Sequence, residues 1–252
     1  QAKIQSGKKF KIIEIPKKLP HQILNSSLNL GFDPMVFTSR RLMYFFKDKV
    51  KLTPISSTIL NSSVFKSHKS KEFYLLKSAI VGEKVNSKVK RLIQILKKDK
   101  SDHIFISAPE NVAWLLNIRG RDNPFSPIPN CRIILNTKGE ISFFSDKKKL
   151  SKILKNKDFR KTSFFEENQI ESFLSKLNAK KIIIDKNSCP IFFENLINSR
   201  LKVSKIGDPL YLMKSVKNKV EINNTIESHV YDGVAVTKFL HWIKKNQNKK
   251  IS

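Results

Sequence analysis

From Gly82 to Lys98 apolar residues return every three or four positions. Val85, Val89, Leu92, Ile93 and Leu96 form one stripe, with Glu83 in the first turn and Lys97 and Lys98 in the last, which predicts an amphipathic helix. Shorter apolar runs bounded by turn-forming residues predict strands at His103 to Ser107, Cys131 to Asn136, Ile141 to Ser145, Lys181 to Asp185 and Leu201 to Lys205. Thr137-Lys-Gly-Glu140 reads as a hairpin turn between the second and third of these. Helices are predicted between the others, at Lys147 to Lys155, Glu166 to Leu177 and Pro190 to Ser199. Alternating strands and helices with one hairpin imply a mixed sheet covered by helices, a three-layer α/β domain over 71–206.

The flanking stretches follow different patterns. Residues 1–70 alternate short apolar runs with breakers: Phe10-Lys-Ile-Ile-Glu-Ile15 before Pro16, a helix around Pro20 to Leu28, a strand into a turn at Leu30 to Asp33, a helix at Ser39 to Phe46 and a closing strand at Val50 to Thr53. These elements make a partial α/β domain. Asn61 to Ser70 is polar and aperiodic and reads as a linker. Over 207–252 a long helix is predicted from Lys217 to Lys245. It carries Ile222, Ile226, Val230 and Leu240 on a broad apolar face flanked by Val236 and Ile243.

Residues 109–122, Pro-Glu-Asn-Val-Ala-Trp-Leu-Leu-Asn-Ile-Arg-Gly-Arg-Asp, carry the most specific pattern. Pro109 suits the first helical position and Glu110 complements the positive helix end. Val112, Leu115 and Leu116 share a face, and Gly120 is positioned to stop the helix. The loop that follows, Arg121 to Asn130, holds too many prolines for helix or central strand. Arg119 and Asp122 are thereby delivered into a loop anchored by a packed helix.

This segment resembles the "AWLLNLRG-x-D…NP" stretch of Xaa-Pro aminopeptidases, the aminopeptidase P branch of the creatinase-like metallopeptidases. Leu210-Tyr-Leu-Met-Lys-Ser-Val-Lys-Asn-Lys-Val-Glu-Ile222, with Glu227 to Val236 and Lys238 to Ile243, is similar to the family's "LKAIKNEVEI…AHIRDGVALVKFLAWL". Gly31-Phe-Asp-Pro34 resembles its "GFDP", and Gln1 to Gln5 resembles the continuation of its "DGRYTLQA" strand. The resemblance implies a creatinase N-terminal-like fold with a ribonuclease H-like motif. It further implies that the chain is a fragment: part of the first N-terminal domain, the whole second one, and the first helix of a catalytic domain whose Asp, His and Glu metal ligands lie beyond Ser252.

For the whole enzyme the resemblance implies a dinuclear centre of divalent ions, commonly manganese. Such a centre polarises a water for attack on the peptide bond before a proline in second position. A homodimer and a cytoplasmic location are implied as well. For this chain it implies no catalytic, cofactor or metal residue, and it makes Arg119 and Asp122 the candidates for lining a substrate groove. The other reading of these two is that they pair with each other or cap the turn. Arg121 stands where relatives often carry Ser.

Few other residues are grouped as chemistry would require. The histidines at 21, 68, 103, 229 and 241 are scattered, and only His229 and Asp232, three apart on the long helix, face one side together. Cys131 and Cys189 form no paired motif and read as reduced thiols. No Gly-x-Ser-x-Gly elbow, Walker loop or dinucleotide fingerprint occurs, and no apolar run is long enough to cross a bilayer.

The net charge of +28 raises phosphate binding. Yet the lysines are dispersed as pairs and triplets, which reads as a solvated surface without specific nucleic-acid recognition. The reading set against the peptidase fragment is a stand-alone α/β binding or scaffold module with nonspecific nucleic-acid affinity.

Overall fold

The structure, a computed structural model, describes residues 1–55, 71–204 and 206–247. The chain opens on α1 (Ala2–Ser6) where the resemblance implied a strand. No described strand lies alongside to bond its backbone, and local bonds such as Gln5 N–H to Gln1 O at 3.0 Å satisfy it instead. The helix expected around Pro20 to Leu28 is one 3₁₀ turn, Pro20–Gln22, capped by the Gln22 side chain on the Leu19 N–H.

Next, β1 (Asn29–Phe32), α2 (Ser39–Phe46) and β2 (Lys51–Pro54) form a parallel pair joined by a helix. The Thr38 side chain caps α2. The expected linker at Asn61 to Ser70 lies outside the described residues.

The main sheet follows. Its approach is β3 (Tyr74–Leu75), α3 (Ser78–Val81) and α4 (Val85–Lys98). Gly82, with φ 66°, terminates α3, so the helix expected from Gly82 starts three residues later and Glu83 precedes it. Then come β4 (His103–Ile106), α5 (Pro109–Leu116), β5 (Ile118–Arg119), β6 (Arg132–Asn136) and β7 (Ile141–Phe144). The second half runs α6 (Ser151–Leu154), β8 (Thr162–Phe165), α7 (Ile170–Lys176), β9 (Lys181–Ile184), α8 (Ile191–Asn198) and β10 (Lys202–Val203). Lastly, α9 (Leu210–Ser215) leads into the 28-residue α10 (Lys219–Asn246).

Six strands order as β10-β9-β4-β6-β7-β8. Strands β10, β9 and β4 are parallel, β6 is antiparallel to β4 and to β7, and β8 is parallel to β7. The sheet is therefore mixed, as expected, with the hairpin where Gly139 adopts φ 81°.

The period-two pattern of the strands builds two cores. Ile104, Ile106, Ile133, Leu135 and Phe143 pack against Leu92, Leu96, Leu115 and Leu116 on one face. Phe105, Ile134, Phe144, Ile182 and Ile184 pack against Leu174, Phe193 and Ile197 on the other. Cys131 and Cys189 sit in different cores, both reduced, and burial raises each thiol's pKa.

The segment between β1 and α2, with the first residue of α2, docks on α8. Phe37 O and Pro34 O accept the Ile191 and Phe192 N–H groups at 2.9 and 3.1 Å, and Ser39 Oγ donates to Glu194 Oε2 at 2.6 Å.

Candidate functional site

Pro109 occupies the first turn of α5, and Glu110 beside it accepts the Tyr211 hydroxyl at 3.2 Å, so α5 is tied to α9 at its start. The helix ends earlier than Gly120. Asn117 takes the left-handed conformation, φ 54°, which its short polar side chain tolerates. Gly120 has another duty: a Cβ there would lie 2.7 Å from the backbone of Pro129, so the loop can close on itself only over a hydrogen.

Asn117 is also the partner of an unexpected buried cation. Lys88, 1% exposed, stands on the core-facing side of α4. Its ammonium donates to Trp114 O and to Asn117 Oδ1, both at 2.7 Å, and lies 4.1 Å from the centre of the Trp114 ring. Desolvation pushes its pKa down to about 8. A sequence signal existed: position 88 falls between Val85 and Leu92 on the apolar stripe, where a charged residue is out of pattern.

Arg119 follows in β5, paired with Tyr74 of β3. Its Nη1 donates to Ala113 O at 3.1 Å and Ile118 O at 2.8 Å, binding the carbonyl end of α5, and desolvation lowers its pKa. Asp122 has separate partners: its Oδ1 accepts Lys149 Nζ and its Oδ2 accepts the Asn130 N–H, both at 2.6 Å. Arg119 and Asp122 thus do not pair with each other. Asp122 closes the 121–130 loop, and its side chain is 5% exposed.

The two candidates open on different concavities. Arg119 lines a cleft of about 360 Å³ between α3, the end of α5 and the first turns of α10, shared with Lys88, Glu221, His229 and Asp232. Asp122 borders one of about 730 Å³ under the 121–130 loop, whose tip exposes Phe125. His229 and Asp232 do share the first cleft. Among the described residues, however, no three His, Cys, Asp or Glu side chains come together as a metal-holding group, so these residues do not fit a dinuclear centre and no metal step is assigned to them.

The far wall of the first cleft is α10, held by its N-terminus. Asn218 and Glu221 form a reciprocal capping box. Asn218 Nδ2 donates to Val81 O at 2.8 Å, and Asn224 Nδ2 reaches Ala79 O and Ile80 O at 3.2 and 3.1 Å. Beyond these turns the helix buries no residue, and Ile226, Val230, Phe239, Leu240 and Trp242 are all exposed.

The sequence pattern of the Creatinase/Prolidase N-terminal domain matches residues 66–221. The chain belongs to that family. Its curated relatives include Xaa-Pro aminopeptidase 1 of Dictyostelium discoideum, 29% identical over 174 residues that cover 68% of this chain and 27% of that protein. A second is Xaa-Pro aminopeptidase ApepP of Drosophila melanogaster, 29% identical over 62% of this chain and 26% of that one. Among solved structures, X-prolyl aminopeptidase from Caenorhabditis elegans, described as a cytosolic enzyme with a di-nuclear active site, superposes with a TM-score of 0.75 at 21% identity, over 95% of this chain and 41% of that one.

The likeness to the solved structure shows a shared fold, and the creatinase N-terminal architecture here is the six-stranded unit together with its flanking elements. The chain spans less than half the length of each of these relatives. Both halves of the Arg119 segment, α5 and the loop to Asn130, lie inside the matched residues.

Proposed function

We propose that the chain is the N-terminal, non-catalytic portion of an Xaa-Pro aminopeptidase. The whole protein would remove an N-terminal residue that precedes proline, in the cytoplasm and as a homodimer, with a pair of divalent ions, manganese by preference, held outside the described residues. The observation that carries the reading is the family match, together with curated relatives named Xaa-Pro aminopeptidase that this chain covers to 27% of their length. In this reading residues 1–70 belong to a first creatinase N-terminal-like domain, 71–206 form the second, and 207–252 open the catalytic domain.

Arg119 and Asp122 would serve the substrate groove differently. Arg119 would fix the end of α5 from which the loop departs, while Asp122 would hold the loop that walls the groove. Neither would touch the reacting bond.

An antibody raised against this chain tests the reading in the source cells. It should detect a polypeptide more than twice the 29.1 kDa of this chain, co-purifying with hydrolysis of Xaa-Pro peptides. A native product of 29.1 kDa with no such activity would overturn it.

A further inference from the structure

The cleft at the foot of α10 has walls of opposite charge. On the sheet side stand Lys88 and Arg119, both desolvated, and neither forms an ion pair with a carboxylate among the described residues. Among the described residues Arg119 donates only from Nη1, so its Nε and Nη2 find no protein acceptor there. Glu83 and Glu221 act on Lys88 from a distance, but no carboxylate among the described residues acts on Arg119, and a bound anion relieves the cost of burying that guanidinium.

Across the cleft, α10 presents Glu221 and Asp232. Glu221 is engaged in its capping box, whereas Asp232 makes no ion pair or hydrogen bond among the described residues. Between the charged walls lie the apolar side chains of Leu76, Ile80 and Val81 and the Trp114 ring. The volume of about 360 Å³ suits a small molecule rather than a folded chain.

We propose that this cleft binds a free apolar α-amino acid as its zwitterion. The carboxylate is received by Arg119 in the field of Lys88, the ammonium by Asp232, and the side chain by the Leu76–Ile80–Trp114 surface. Because the cationic wall belongs to the sheet unit and the anionic wall to α10, the ligand bridges the two and fixes the angle at which α10 leaves. The inference concerns residues of this chain only and does not rest on the peptidase reading. Were that reading right, the ligand would be of the class the whole enzyme releases.

Titration calorimetry of the full chain with leucine, leucinamide and 4-methylpentanoate tests it, since the latter two each lack one charge. Leucine is expected to bind saturably, and each analogue about tenfold or more weaker, the loss of one charge-assisted hydrogen bond. Asp232→Asn, on an exposed helix face where folding is not at stake, should weaken leucine to a similar degree and leave 4-methylpentanoate unchanged. Arg119→Gln should weaken leucine and 4-methylpentanoate alike. Absence of leucine binding, or equal binding of all three compounds, or indifference to Asp232→Asn, overturns the proposal. No peptidase assay enters, so its failure is distinct from failure of the functional reading.

Discussion

Asn218 Nδ2 donates to Val81 O at 2.8 Å while Asn218 Oδ1 accepts the Glu221 N–H at 3.0 Å, so one side chain both starts the long helix and moors it to the sheet unit. The Asn218 carboxamide rests against Gly82, where a Cβ would stand 2.3 Å from Asn218 Oδ1. Gly82→Ala should therefore act twice. A side chain at φ 66° costs roughly 1–2 kcal/mol, and the Asn218 side chain must leave. Hydrogen exchange should show 219–225 losing protection in this variant, whereas Asn218→Ala, which removes only the cap and the mooring bond, should cost about 0.5–2 kcal/mol. Unchanged exchange in both would remove the mooring role.

Lys88 gives the fold a basic-side pH dependence. Its folded pKa, about 8, lies below the ordinary lysine value, so the folded state disfavours the charged amine. Stability is accordingly lowest below about pH 8 and recovers as pH rises toward the unfolded value, by at most on the order of 3 kcal/mol. Denaturant unfolding of the wild type and Lys88→Met across pH 7 to about 10.5 should show this rise in the former only. Parallel curves would contradict it.

Asp208 acts with the opposite sign. Desolvation raises its pKa to about 6 against the hydrogen bonds it accepts from the Leu210 N–H and Asn111 Nδ2. A carboxyl whose folded pKa is raised stabilises the fold while protonated, and that contribution is lost as pH rises from about 4 through about 6. Asp208→Asn keeps one of the two acceptors and cannot titrate, so between pH 4 and pH 7 the wild type should lose on the order of 2–3 kcal/mol of stability relative to it. The measurement is thermal melting at the two pH values.

Removal of α10 separates core from appendage. Leu210 and Met213 of α9 are buried in the sheet unit's core, and Lys214 Nζ donates to Asn111 Oδ1 at 2.5 Å. A chain ending after Asp208 loses these contacts and roughly 1.5–3 kcal/mol per buried apolar side chain. A chain ending after Lys217 keeps them and gives up only the Asn218 and Asn224 mooring bonds, so its melting temperature should fall less than that of the shorter chain, while it loses the self-association that the exposed Val230, Phe239, Leu240 and Trp242 promote. Light scattering of the two truncations and the full chain checks both halves.

Much of the fold was legible where one local rule decided the outcome. The helix Ser39–Phe46, the hairpin turn at Thr137 to Glu140 and the stripe of α4 all follow from spacing and turn chemistry. Strand β8 was not legible, because Thr162-Ser-Phe-Phe165 has no alternation, and its place at the sheet edge comes from pairing with β7 across intervening helical turns. The stop at Asn117 was hidden by the stronger glycine signal at Gly120, whose role is close approach to Pro129. Asp122 lies in the loop that the prolines predict, yet its partner Lys149 lies 27 residues away, beyond any local pattern. The charge on the apolar stripe at Lys88 was visible, but its meaning depended on Asn117 and Trp114 folding back over it.

Turnover of an Xaa-Pro peptide by the purified chain decides whether it is, as proposed, the non-catalytic part of a metallo-aminopeptidase. With manganese added, the account predicts no release of the N-terminal residue above the rate of the buffer. Release that scales with protein concentration, survives repurification and changes when residues of this chain are substituted would contradict it.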